Sequence, residues 1–200
     1  MVFSEEILVG KLLVNMRIIG GKFKGKNIEF LRTNKTRPLK DSVKENIFNI
    51  IAHSNFVDIR LNGSSVLDAY SGVGSFGLEC LSRGANFVTF VERDIDAMST
   101  LEKNISNLKI KNQSKLINGP IENFCHNINS RFDIFFFDPP FADKSFIENV
   151  KILKREKNFK KKNLVIIHRE KSSKDNFDKV LKVFIVRNYG RSKLIFAKFI

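Results

Sequence analysis

The sequence predicts an α/β fold: a mainly parallel seven-stranded sheet flanked by helices, ending in an antiparallel hairpin and preceded by a small N-terminal β-ribbon. Three observations predict it. From Gly63 onward, short apolar runs alternate with amphipathic stretches, which implies crossover units and a parallel sheet covered on both faces. One run, Ile134-Phe135-Phe136-Phe137, is apolar without alternation, as in a central strand buried on both sides. The last two β-rich runs have no helical stretch between them, only the turn Asn188-Tyr189-Gly190-Arg191, so they pair as a hairpin.

Residues 1–15 precede the patterned sequence and are expected to be an extension, with Met16 an alternative start. The stretch MRIIGGKFKGKNIEF (16–30) reads as two short strands around Gly20-Gly21, and the ribbon is expected to occupy 16–38. The main domain, 39–200, opens with a helix. Ser42 and Glu45 have capping-box spacing, and Val43, Ile47, Ile50 and Ile51 give that helix one apolar face. Strands are predicted at 65–69, 87–91, 115–118, 133–137, 164–168, 180–186 and 194–199, with helices near 75–83, 95–108, 121–129 and 144–155. The lysine-rich stretch 151–162 is expected to be a solvated helix end and loop.

The 200 residues suit one domain with a small appendage. A net charge of +14 fits a polyanionic partner, because Lys and Arg neutralise phosphates and release counterions. The abundance of Lys, Asn, Ile and Phe is also what AT-rich coding produces, so charge alone does not decide. Arg17, Lys22, Lys24, Lys26 and Arg37 cluster ahead of the main domain and are the candidate nucleic-acid grip. No apolar run reaches the ~18 residues of a membrane span. The start of the chain lacks the basic n-region and cleavage site of a signal peptide, so a cytoplasmic protein is expected. Cys80 and Cys125 are the only cysteines, with no CxxC pair, so neither a disulfide framework nor a metal site is expected.

The segment VLDAYSGVGSFGLECLSRGA places Gly72, Gly74 and Gly77 in a GxGxxG pattern between a strand and a helix. Such glycines admit a ligand close to the backbone, but dinucleotide enzymes and S-adenosylmethionine enzymes share them. The neighbouring acid separates the two. A pyrophosphate at a helix start favours amide donors and no carboxylate, whereas S-adenosyl-L-methionine carries an ammonium and a sulfonium. A carboxylate about 6 Å from such a cation contributes roughly 3 kcal/mol at an effective dielectric near 20, and repels a phosphate by as much. Asp68, ending the strand before the glycines, therefore favours the cationic cofactor. Glu92 ends the next strand, where its two oxygens suit a ribose diol.

Asp138-Pro139-Pro140-Phe141 follows the buried fourth strand, and ligands of open α/β sheets gather beyond the carboxyl ends of the strands. An exocyclic base amine is a weak nucleophile, its lone pair being delocalised into the ring. Two acceptors on its hydrogens, the Asp138 carboxylate and the Pro139 carbonyl, pull the nitrogen toward pyramidal geometry and free that pair. The successive prolines stiffen the loop, and Phe141 offers a face to a base turned out of its stack.

With these elements in order, the chain resembles the class I, Rossmann-like methyltransferases with a [DNS]PP[FYW] motif. More narrowly, it resembles the bacterial small-subunit ribosomal RNA guanine-N2 methyltransferases, the RsmD family. The marks are MRIIGGKFKGK, TRPLKDSVKENIFNII, the glycine loop, VERD, FDIFFFDPPF and YGRSKLIF. The resemblance implies methylation of the 2-amino group of one guanine in 16S rRNA, within the small ribosomal subunit or its assembly intermediate, by a monomer without metal. It carries over Asp68, Glu92, Asp138 and Phe141. Such families follow the third strand with an Asp or Asn for the cofactor's adenine. Here Pro120 stands in that place, and Asn118 or the backbone of Ile121 is expected to substitute. A DNA adenine or cytosine amino methyltransferase is disfavoured because no segment is long enough for a separate target-recognition domain. A non-catalytic RNA-binding assembly protein is disfavoured by the intact acids. A protein-glutamine methyltransferase more often resembles Asn-Pro-Pro-Tyr.

Overall fold

The computed structural model describes residues 12–32, 39–126 and 129–200. A ribbon of β1 (Leu12–Arg17) and β2 (Asn27–Arg32) comes first, antiparallel with Met16 opposite Ile28. Then follow α1 (Asp41–His53), β3 (Ser65–Asp68), α2 (Ser75–Ser82), β4 (Phe87–Glu92), α3 (Ile95–Leu108), β5 (Ser114–Asn118) and α4 (Ile121–Cys125). The remainder is β6 (Phe132–Phe137), α5 (Phe146–Arg155), β7 (Phe159–Glu170), β8 (Leu181–Tyr189) and β9 (Ser192–Phe199).

The seven strands of the main sheet lie in the order β5-β4-β3-β6-β7-β9-β8. All neighbours from β5 to β7 are parallel; β9 runs antiparallel to both β7 and β8, giving the expected C-terminal hairpin. From β3 the chain moves outward through β4 and β5, then returns to lay β6 on the other side of β3. The crevice between the tips of β3 and β6 is therefore the switch point at which open sheets bind ligands.

The central strands bury both faces, and their alternate residues serve two cores. Val66, Ile134, Phe136, Leu164 and Ile166 face α1, α2, α3 and the ribbon, whose Ile18 and Ile28 belong to the same core. Leu67, Phe135, Phe137, Val165 and Ile167 face α4 and α5. An aromatic stack crosses the first core, from Phe48 of α1 to Phe76 of α2 (5.5 Å) and on to Phe136 of β6 (4.1 Å). Cys80 and Cys125 are free and buried, and burial raises both thiols, the second to about 12, so neither is a reactive thiolate.

Four local expectations differ. The Ser42–Glu45 capping box does not form, because α1 begins at Asp41 with Lys40 at its cap, which puts Ser42 inside the first turn. The lysine-rich stretch is only partly loop: β7 starts at Phe159, opposite Phe132, so Lys160, Lys161 and Lys162 lie in a strand with exposed side chains. Lys160 pairs there with Asp133 at 2.6 Å. Helix α4 is shorter than predicted, and β1 starts at Leu12, four positions before Met16.

Candidate active site

Asp68, Glu92 and Asp138 stand at or just beyond the tips of β3, β4 and β6, neighbours in the sheet. The Asp68 carboxylate is buried. Its Oδ2 accepts the Gly77 amide at 3.0 Å, capping the first turn of α2, while its Oδ1 has no partner among the described residues. Burial, with the charges of Asp138 and Glu92 adding to it against the Gly77 bond, pushes the carboxyl up to about 8. An acid so placed is set to receive a cation.

Glu92 braces the glycine loop. Its Oε2 accepts the Gly72 amide at 2.7 Å, and its Oε1 accepts the amides of Arg93 at 2.9 Å and Asp94 at 2.8 Å. Each carboxylate oxygen has two acceptor positions, so Oε1 is filled and Oε2 keeps one free for a hydroxyl. The glycines do different work. Gly72 has φ +54 and open space where a side chain would stand, leaving the backbone bare to a ligand. At Gly77 a Cβ would lie 2.2 Å from the Phe90 ring, so that glycine lets α2 press against β4; Gly74, the cap of α2, packs against Leu101. Asn118 is exposed as the last residue of β5, and Ile121 is buried at the start of α4.

Asp138 leaves β6 and meets His168 of β7, Nδ1 to Oδ1 2.9 Å. Pro139 is buried and Pro140 exposed. The Pro140 carbonyl accepts the Asp143 amide at 2.8 Å and Arg169 Nη1 at 3.1 Å, whereas the Pro139 carbonyl has no partner among the described residues. Phe141 is half-buried, with the edge of its ring system against His168 at 6.0 Å between centroids.

A family model described as conserved hypothetical protein 95 matches residues 16–198. The chain belongs to this family. The Haemophilus influenzae protein named ribosomal RNA small subunit methyltransferase D is 33% identical over 78% of this chain and 79% of its own. The ribosomal RNA small subunit methyltransferase D of Buchnera aphidicola from Acyrthosiphon pisum is 30% identical over 77% of this chain and 78% of its own. Among solved structures, a "putative methylase" of Haemophilus influenzae superposes with a TM-score of 0.73 at 29% identity, covering 92% of this chain and 98% of that one. This family member is a methyltransferase with the Rossmann-like fold that its sequence predicts.

The basic residues of the ribbon fall at two edges of the sheet. The ribbon's turn docks on the far end of α2: the Phe23 amide donates to Ser82 Oγ at 2.9 Å, and the Ile19 amide to Glu79 Oε2 at 2.9 Å. Buried Glu79 also pairs with Arg83 at 2.7 Å. Lys22 reaches Gln113 at 3.2 Å, immediately before β5. That is the edge opposite the strand tips, a strand length of roughly 17 Å away. Lys24 and Lys26 are exposed on the same turn. Arg17 lies at the other end, beside Asp41 at 3.4 Å. Its carbonyl accepts Lys44 Nζ at 3.1 Å, and Lys44 also reaches Ser75 Oγ at 3.4 Å, just after the glycine loop. The structure thus brings Arg17, but not Lys22, toward the strand-tip edge; Arg37 lies outside the described residues.

Four residues escaped the sequence reading. Lys44 is fully buried on a helix face that looked apolar, held by the bonds above and by Asp41 at 3.5 Å. Asn104 of α3 receives the Glu29 amide at 2.8 Å and donates to the carbonyls of Glu29 at 3.0 Å and Val73 at 3.3 Å, tying ribbon to glycine loop. Arg169 is 1% exposed, forked onto Asp175 at 3.0 and 3.3 Å. His168 and Arg169 carried one signal: two polar residues in succession after an apolar run in the strand beside β6.

Proposed function

We propose that this protein methylates the exocyclic 2-amino group of a guanine in 16S ribosomal RNA of the small subunit, using S-adenosyl-L-methionine, in the cytoplasm. The observation that carries the reading is the set of carboxylates at adjacent strand tips, with a buried, unpartnered Asp68 oxygen on one side of the crevice and Asp138-Pro139 on the other. The residues fit the cofactor. Asp68 Oδ1 suits its ammonium, the open side of Gly72 admits it to the backbone, and Glu92 Oε2 retains a position for a ribose hydroxyl. When bound, it supplies an electrophilic methyl group on a sulfonium.

The chain's part is orientation and electrostatics. Asp138 and the Pro139 carbonyl accept the two amine hydrogens and direct the nitrogen lone pair at the methyl carbon. Arg169 occupies the Pro140 carbonyl, so the neighbouring Pro139 carbonyl is the one left for substrate. Phe141 supports a base drawn out of its stack. Ribosomal RNA as substrate is supported by the names of the relatives, and by the net charge of +14. The test is methyl transfer from labelled cofactor into small ribosomal subunits and into duplex DNA, followed by mass mapping of the modified nucleotide. Label on the 2-amino group of one guanine is the expected result; label in duplex DNA alone refutes the reading.

A further inference from the structure

Strands β6 and β7 are parallel with Phe137 opposite Ile167, so the next residues, Asp138 and His168, emerge side by side at the catalytic edge. His168 Nδ1 lies 2.9 Å from Asp138 Oδ1. A carboxylate only accepts, so Nδ1 carries the hydrogen. The other ring nitrogen, Nε2, is buried with no partner among the described residues. The Nδ1 hydrogen is thus turned to Asp138.

We propose that His168 is a positioning residue for methyl transfer: its imidazole holds Asp138 Oδ1 and turns Oδ2 toward the substrate amine. This rests on Asp138 being the group that meets that amine. The hydrogen bond engages Oδ1 and fixes the carboxylate in one orientation. As the nitrogen lone pair bonds to the methyl carbon, the carbon–sulfur bond breaks with its electrons staying on sulfur. The surplus amine proton passes to Asp138 Oδ2, and His168 keeps its own hydrogen. The same ring meets Phe141 edge-on, so one side chain sets both the acid and the aromatic plate.

The test compares His168→Leu with His168→Asn, whose side-chain amide nitrogen falls where Nδ1 stood and donates in its place. His168→Leu should lower kcat roughly 10- to 100-fold, the worth of a hydrogen bond to a charged group, with KM for RNA and the cofactor dissociation constant within about threefold of wild type. His168→Asn should recover kcat to within about threefold. Normal kcat in His168→Leu, or an Asn variant as slow as the Leu variant, overturns the proposal. Failure of the wild type to label ribosomal RNA would instead strike at the substrate assignment. Nitrogen NMR of the wild-type imidazole then decides: hydrogen on Nδ1 supports the proposal, and hydrogen on Nε2 overturns it.

Discussion

Acidifying the solution should release the methyl donor, through Asp68. Burial above all, then the charges of Asp138 and Glu92 working against the Gly77 bond, lift this carboxyl to about 8. At pH 7 roughly a tenth of the free protein carries it ionised. An ammonium about 5 Å from Oδ1 contributes roughly 3 kcal/mol at an effective dielectric near 20, or about two pK units. That attraction lowers the bound carboxyl, so binding at pH 7 releases protons. Affinity should rise on the order of tenfold from pH 5.5 to 7, a range in which the donor's own α-amino group, pKa about 8, stays charged. Calorimetric titration in two buffers of different ionisation enthalpy reads the proton directly. Asp68→Asn should abolish both the release and the slope. Equal heats in the two buffers, or parallel pH profiles for wild type and variant, would refute the electrostatic account of this loop. Folding responds with the opposite sense. The unfolded carboxyl ionises near 3.8 and the folded one near 8, so its stabilising contribution is whole below 3.8 and fades as pH climbs through 8. The donor-free thermal midpoint should fall across that window more steeply in wild type than in Asp68→Asn.

Asp138→Ala should reduce transfer below detection while leaving donor affinity within about threefold, because the carboxylate faces the amine; near-normal turnover would remove Asp138 from the chemistry. Glu92→Ala, which frees the amides of Gly72, Arg93 and Asp94, should weaken donor binding by roughly 1–3 kcal/mol in equilibrium titration. Neutralising Lys22, Lys24 and Lys26 together should flatten the salt dependence of RNA binding without changing kcat at saturating RNA, since their turn lies at the sheet edge away from the strand tips. An unchanged slope takes that turn out of the RNA interface. Gly21→Ala forces a side chain onto a residue at φ +76, with its Cβ 1.9 Å from the Ser82 carbonyl oxygen; thermal unfolding should show a loss of at least about 2 kcal/mol.

The fold was legible because its signals are local. The apolar run 134–137, the glycine loop and the turn before Ser192 each carry their meaning within a few residues, and Asp138-Pro139-Pro140-Phe141 declares its place by following the buried strand. What was hidden depends on distant partners. The capping-box spacing at Ser42 was present, but the cap fell two residues earlier, at Lys40. Lys160 to Lys162 read as loop because only the pairing of Phe159 with Phe132 makes them strand. His168 acquires its meaning from strand order and register, neither of which a single run of residues contains. The ribbon lysines looked like one cluster in sequence, yet the docking of the turn on Ser82 and Gln113 carries them away from Arg17.

Asn104 and Lys44 leave no hinge between the N-terminal ribbon and the glycine loop. Cutting the ribbon away would take the Glu29 backbone from the buried Asn104 amide and the Arg17 carbonyl from the buried Lys44 ammonium, and would lay bare the seats of Ile18 and Ile28. The arm is therefore no detachable handle; a trimmed chain would leave the glycine loop without its bracing from behind.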